Sequence, residues 1–167
     1  MKKKIQLDDI KIRNELRPGD IGYITHMHGA LYKKEYDYGI QFETYVAKGL
    51  CEFYESYNPA NNRVWICEHD ERIIGFLLLM NRGKAAQLRY FLIEPEYRGL
   101  GLGSKLIGLY MEFLKECRYK ESYLWTTHEL SAAAHLYKQV GFELTEEKES
   151  TAFGKPVREQ RYDLRLD

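Results

Sequence analysis

The chain has little of what marks several large protein classes. It carries only three cysteines, Cys51, Cys67 and Cys117, which are odd in number, far apart and without C-x-x-C spacing. Neither a zinc site nor a disulfide framework is suggested, and the thiols read as buried or half-buried side chains in a reducing compartment. Net charge is also missing: 25 Lys plus Arg balance 25 Asp plus Glu. That balance lacks the positive excess of a nucleic-acid binder. The short run Lys2-Lys3-Lys4 reads as a solvated tail. Long apolar runs are absent too. The longest, residues 73–80, falls far below the roughly 18–20 residues of a membrane span, and the first residues are charged, unlike a secretory leader. These absences predict a cytoplasmic protein without a nucleic-acid, membrane or metal partner.

What is present describes an ordinary globular protein, with 44% hydrophobic and 30% charged residues. A length of 167 residues suits one domain. Residues 1–9 are expected to form a disordered or extended tail and residues 10–167 the domain. Ile10, Ile12 and Leu16 suggest a first strand that runs into Arg17-Pro18-Gly19. Asp20 stands where a helix N-cap belongs, and Ile21, Ile24, Met27 or His28, and Leu31 then recur at helical spacing. A second helix is predicted over residues 42–54, with Tyr45, Val46, Leu50, Phe53 and Tyr54 on its apolar face. Strands over residues 64–67 and 73–80 flank a hairpin turn, and a strand over residues 87–93 suits the middle of a covered sheet. A helix over 104–116, a strand over 121–126, a helix over 131–139 stopped by Gly141, and two last strands follow. The order is mixed α/β in one unit.

The most informative stretch is Glu94-Pro95-Glu96-Tyr97-Arg98-Gly99-Leu100-Gly101-Leu102-Gly103-Ser104. It leads from a strand into a helix through alternating glycines. Glycine lets backbone N–H groups approach a ligand closely, and the first helical turn adds unpaired donors and the positive end of the dipole. A phosphate or pyrophosphate site results. The alternative is a turn that serves tight packing. G-x-x-x-x-G-K-[ST] does not occur here, and G-x-G-x-x-G fails at Ser104 when counted from Gly99 and at Leu106 when counted from Gly101.

What remains, Arg98-x-x-Gly101-x-Gly103 behind Pro95-Glu96-Tyr97, resembles the signature of the GNAT acetyltransferases. Leu136-Tyr137-Lys138-Gln139-Val140-Gly141-Phe142 resembles a second segment of that family. Arg17-Pro18-Gly19-Asp20-Ile21-Gly22, His28-Gly29-Ala30-Leu31-Tyr32 and Leu124-Trp125-Thr126-Thr127 resemble the GNAT domain often fused to MarR-type regulators. The residues before Ile10 are too few for a winged helix, so the expectation is the acetyltransferase portion alone.

The resemblance implies an α/β (α+β, mixed-sheet) acyl-CoA N-acyltransferase fold, with a mostly antiparallel central sheet, two splayed parallel strands and flanking helices. It implies acetyl-CoA as co-substrate, no metal, and acetyl transfer to the primary amine of a small molecule or protein by direct attack in a ternary complex. Phe91, Leu92 and Ile93 would contact the pantetheine arm through their backbone, and an amide near Leu92 or Ile93 would polarise the thioester carbonyl. Arg98, Gly99, Leu100, Gly101, Leu102, Gly103 and Ser104 would hold the pyrophosphate.

Tyr137 would be the general acid for the departing thiolate, the other reading being a packing tyrosine. His28, Tyr32 and Glu35 share one helix face. His28 and Glu35 are therefore candidates for base or acceptor site, although a solvated polar face gives the same pattern. Glu43, Glu129 and His128 are further candidates, and Leu130 stands where many family members have a cofactor-contacting asparagine. Tyr32, Tyr36, Tyr38 and Tyr45 are candidates for an aromatic acceptor pocket. Homodimers are common in the family. A second reading is a catalytically weak CoA-binding regulatory module that acts through a protein partner.

Overall fold

A computed structural model describes residues 4–167. Met1, Lys2 and Lys3, and with them most of the basic run, lie outside the described residues. In chain order the elements are β1 (Lys11–Arg13), α1 (Asp20–Tyr36), α2 (Ile40–Glu55), β2 (Arg63–His69), β3 (Arg72–Arg82), β4 (Ala85–Ile93), α3 (Leu102–Glu116), β5 (Glu121–Thr127), α4 (Ser131–Gln139), β6 (Glu143–Ser150) and β7 (Val157–Arg165). All seven strands join one sheet in the order β1-β2-β3-β4-β5-β7-β6. Every neighbouring pair is antiparallel except β4 and β5.

Both faces of the sheet are covered at its centre, which is why β3 reads as a nearly unbroken apolar run, whereas the edge strand β6 is exposed. Leu77, Leu79, Leu88 and Leu124 pack with Leu106, Tyr110 and Phe113 of α3. On the other face Ile66, Phe76, Leu78 and Met80 pack with Ile24, Phe42, Val46 and Leu50 of α1 and α2. Each fully buried side chain of this kind contributes about 1.5–3 kcal/mol. The β2–β3 hairpin turns through Asp70 and Glu71, both at positive φ (49° and 60°), as a two-residue turn matched to strand twist requires.

Local expectations shift in three places. Asp20 is the first helical residue, and Gly19 holds the cap position at φ 94°. The Asp20 carboxylate is engaged instead by Arg13, at 2.7 and 2.9 Å, and by the Arg17 amide at 2.7 Å. Tyr54 leaves the apolar face of α2 and is 58% exposed. Helix α3 starts two residues earlier than its apolar stripe suggests, at Leu102. At the N-terminal end, residues Leu7–Asp9 form a single 3-10 turn, and Ile5 and Leu7 pack against the core.

Candidate active site

The parallel pair is hydrogen-bonded only from Ala85↔Glu121 to Leu88↔Leu124. Beyond Leu88 the two strands diverge, although β4 continues to Ile93 and β5 to Thr127. The cause lies in β4. Its register against β3 slips between Phe76↔Leu92 and Leu78↔Arg89, so one extra residue bulges on β4, with Tyr90 at φ 60°. The bulge bends β4 away from β5.

The open edge carries backbone groups that no neighbouring strand pairs. Glu94 donates its N–H to Ile74 at 2.9 Å, which makes Phe76 and Leu92 the next mutually bonded pair in an antiparallel ladder. Leu92 therefore turns its amide to β3, while Ile93 turns N–H and C=O into the gap. The sequence left both residues open for this role, and the ladder favours Ile93.

At the mouth of the gap lies the glycine turn. Gly99 and Gly101 adopt φ 77° and 89°, a region that penalises other residues. No side chain caps α3, so among the described residues the first amides of that helix stay without partners. Gly103 serves a different end: a Cβ there would lie 2.9 Å from Leu136 Cδ1 of α4.

Phe91, Leu92, Ile93, Arg98, Gly99, Gly101, Gly103 and Ser104 all line one groove of about 400 Å³. Leu100 and Leu102 do not: both pack into the core and leave only their backbone to the turn. The N-terminal end of α4 supplies the opposite wall through Glu129, Leu130, Ser131 and Ala132; of these the sequence pointed to Glu129, as a carboxylate candidate, and to Leu130, and not to the wall as a whole. A helix starting just past a parallel strand's end was the available signal.

Beyond the groove the gap opens into a smaller aromatic chamber of about 100 Å³. Tyr32, Phe91, Leu130 and Ala133 line both spaces and mark the junction. Tyr32, Tyr38, Phe42, Tyr45 and Phe153 form the chamber's aromatic wall, with Tyr32 stacked on Phe42 at 4.5 Å. Tyr38 shares a hydrogen bond with Thr127 at 2.6 Å, and burial pushes its hydroxyl up to about 12. Of the four early tyrosines, only Tyr36 faces the groove alone.

Tyr137 lines this chamber from α4 and is 4% exposed. Its ring lies 6.1 Å from Phe91, and burial raises its hydroxyl far above the ordinary tyrosine range, so it stays protonated. His28 is fully buried. Its Nδ1 donates to the Ile24 carbonyl at 2.8 Å, which leaves Nε2 as an unprotonated acceptor with no partner. Burial lowers its pKa to about 4, against a smaller raising effect of the Ile24 bond.

Glu35 is elsewhere. It lines the groove, and Arg98 Nη1 and Nη2 donate to its two oxygens at 3.0 and 2.7 Å, while Arg98 Nε donates to the Ile93 carbonyl at 3.0 Å. His28 and Glu35 thus share a helix face but serve different spaces. Glu129 pairs with Lys155 at 2.9 Å, Glu43 packs against Gly29, and the exposed His128 accepts the Arg158 amide at 3.1 Å. Among the described residues no group of three or more His, Cys, Asp and Glu is placed to hold a metal, and no helix is long and apolar enough to cross a membrane.

A mixed sheet opened between two parallel strands, with a bare-amide turn at the mouth and a chamber behind, is the architecture of an acetyltransferase. The chain belongs to the acetyltransferase (GNAT) family, whose model matches residues 30–142. It is 30% identical to the uncharacterized N-acetyltransferase YjgM of Escherichia coli over 114 residues, which is 64% of this chain and 68% of that protein. Across the curated N-acetyltransferases that it matches, the chain spans 38–68% of their length. A structure from Bacillus anthracis, assigned as a streptothricin acetyltransferase and solved in complex with acetyl coenzyme A, is 25% identical with a TM-score of 0.58 over 69% of each chain. A GNAT acetyltransferase of Staphylococcus aureus shares the fold over 95% of this chain and 99% of its own, with a TM-score of 0.77 and 20% identity.

Proposed function

We propose that the protein transfers the acetyl group of acetyl-CoA to a primary amine by direct attack. The observation that carries this reading is the continuity of groove and chamber through the opened β4–β5 gap. The groove fits the donor in two respects. Bare amides of residues 99–104 suit a diphosphate, and the Ile93 edge suits an amide-containing arm that adds like a strand.

Within that frame the amide of β4 that faces the gap, Ile93, donates to the carbonyl oxygen where negative charge develops. The acceptor enters from the α1–α2 side. A C–N bond forms as the C–S bond breaks, the nitrogen loses a proton through water, and the thiolate takes one from the Tyr137 hydroxyl, which regains it from solvent. Glu35 is a poor base here, because Arg98 occupies both its oxygens outside the chamber. His28 offers a lone pair inside it; with its pKa near 4 it acts as a hydrogen-bond acceptor that orients the amine.

The relatives' names support turnover and lend nothing to a regulatory module. The likeness to domains found behind MarR-type regulators rests on sequence motifs alone. The test is thiol release from acetyl-CoA with mixed amines. Tyr137→Phe should lower kcat about 100-fold while acetyl-CoA binds as before; unchanged kcat across the pH range removes Tyr137 from the chemistry.

A further inference from the structure

The charges inside the chamber narrow the acceptor. Arg89 stands on β4 just before the bulge and lines the chamber, and its side chain is only 9% exposed. A guanidinium withdrawn from water is ordinarily met by a carboxylate in a forked pair. Arg89 has no such partner. The nearest carboxylate oxygen, Glu52 Oε2, is 3.7 Å away on a half-exposed side chain, and that carboxylate is engaged more closely by Arg82 at 2.7 Å. The same Nη1 also reaches the Met80 sulfur, at 3.9 Å, and Nε is buried without a hydrogen-bond partner.

The surroundings hold this cation in place. The Tyr90 and Tyr45 rings lie 4.7 and 5.5 Å from its Cζ, which fixes the guanidinium through its faces and leaves donors at its edge. Gly49 of α2 makes the room: a Cβ there would fall on the Tyr90 hydroxyl, with Arg89 Nη2 at 2.8 Å. His28 Nε2, also buried and unpartnered, lines the same space, and the half-buried Glu159 carboxylate lines it too. The chamber therefore presents a cation that has no forked carboxylate partner and one unmet donor, Nε, together with acceptors suited to an amine.

Resting on the acetyltransferase reading, we infer that the acceptor carries a carboxylate bound by Arg89, so that the substrates are amino acids or similarly short carboxylate-bearing amines. The aromatic wall and the volume of about 100 Å³ limit the remainder to a small or flat group.

The experiment compares matched pairs, each an amino acid and the amine that lacks its carboxylate, by thiol release from acetyl-CoA with wild-type protein, Arg89→Met and Arg89→Lys. Calorimetry with acetyl-CoA runs on the same samples. The expected result is a kcat/KM about 100-fold higher for the carboxylate-bearing member of a pair. That ratio should fall to within about threefold of unity in Arg89→Met and be partly kept in Arg89→Lys. Acetyl-CoA binding without a carboxylate preference, or a preference that survives Arg89→Met, overturns this inference alone. Binding with no carboxylate-bearing amine turned over does the same. Absence of acetyl-CoA binding overturns the acetyltransferase reading first. Should Arg89→Met fail to fold, the wild-type ratio decides.

Discussion

The groove and the chamber meet at four residues yet are built in opposite ways. The groove is a backbone device: glycines at positive φ, uncapped helix amides and an unpaired strand edge. The chamber is a side-chain device, with rings, a buried histidine and a buried arginine brought in from α1, α2, β4, β5, α4 and the β6–β7 loop. Backbone devices tolerate few residue types and so recur with fixed spacing. Side-chain devices can be varied one residue at a time without loss of the fold. The contrast fits a donor site shared across a family and an acceptor site particular to each member.

The sharpest way to break the contrast is to put a side chain into the backbone device. Gly101→Val forces a β-branched residue to φ 89° and should weaken acetyl-CoA binding about 100-fold in calorimetry. A normal Kd in a folded variant would mean that the turn does not hold the donor.

The chamber should answer to pH instead. His28 is held at about 4 by burial, below the roughly 6.5 of an unfolded histidine. Between those values the unfolded chain binds the extra proton, so folding stability is full above about pH 6.5 and declines as pH falls to about 4. The total is on the order of 3 kcal/mol. His28→Phe should lose this share of the slope in denaturant titrations at several pH values; an unchanged slope would assign it to other groups.

Gly49→Ala acts next in size. Its methyl group must displace the Tyr90 hydroxyl, at about 1–3 kcal/mol of stability. A lower Tm with a raised acceptor KM, and an unchanged Kd for acetyl-CoA, would keep the two regions separate. The smallest effect concerns the Arg98–Glu35 pair, an exposed contact of small net energy. Glu35→Gln releases Arg98 toward the diphosphate and should tighten acetyl-CoA about threefold. A 100-fold loss of kcat would instead restore Glu35 as the base.

How much of this was legible follows the same division. Periodicity marked the helices because α3 buries Leu106, Tyr110 and Phe113 at helical spacing, and the order of elements was readable along the whole chain. The glycine turn was legible because only glycine tolerates its φ values. The chamber was only partly legible. Tyr32, Tyr38 and Tyr45 were singled out by lying in the early helical region, whereas Arg89 and Phe153 sit in a strand that reads as the middle of a covered sheet and in the connection between the last two strands. Nothing local says that a bulge at Tyr90 will separate β4 from β5, and without that gap the residues around it have no common space. The pairing of Arg98 with Glu35 was hidden for a similar reason, since it joins groups 63 positions apart.

The most direct measurement is of backbone amide resonances during titration with acetyl-CoA. The amides of residues 99–104 and Ile93 should move first and furthest, while those around Arg89 and Gly49 respond to the acceptor. If the turn amides stay still while acetyl-CoA binds elsewhere, the diphosphate is not held by the bare backbone and the account is wrong.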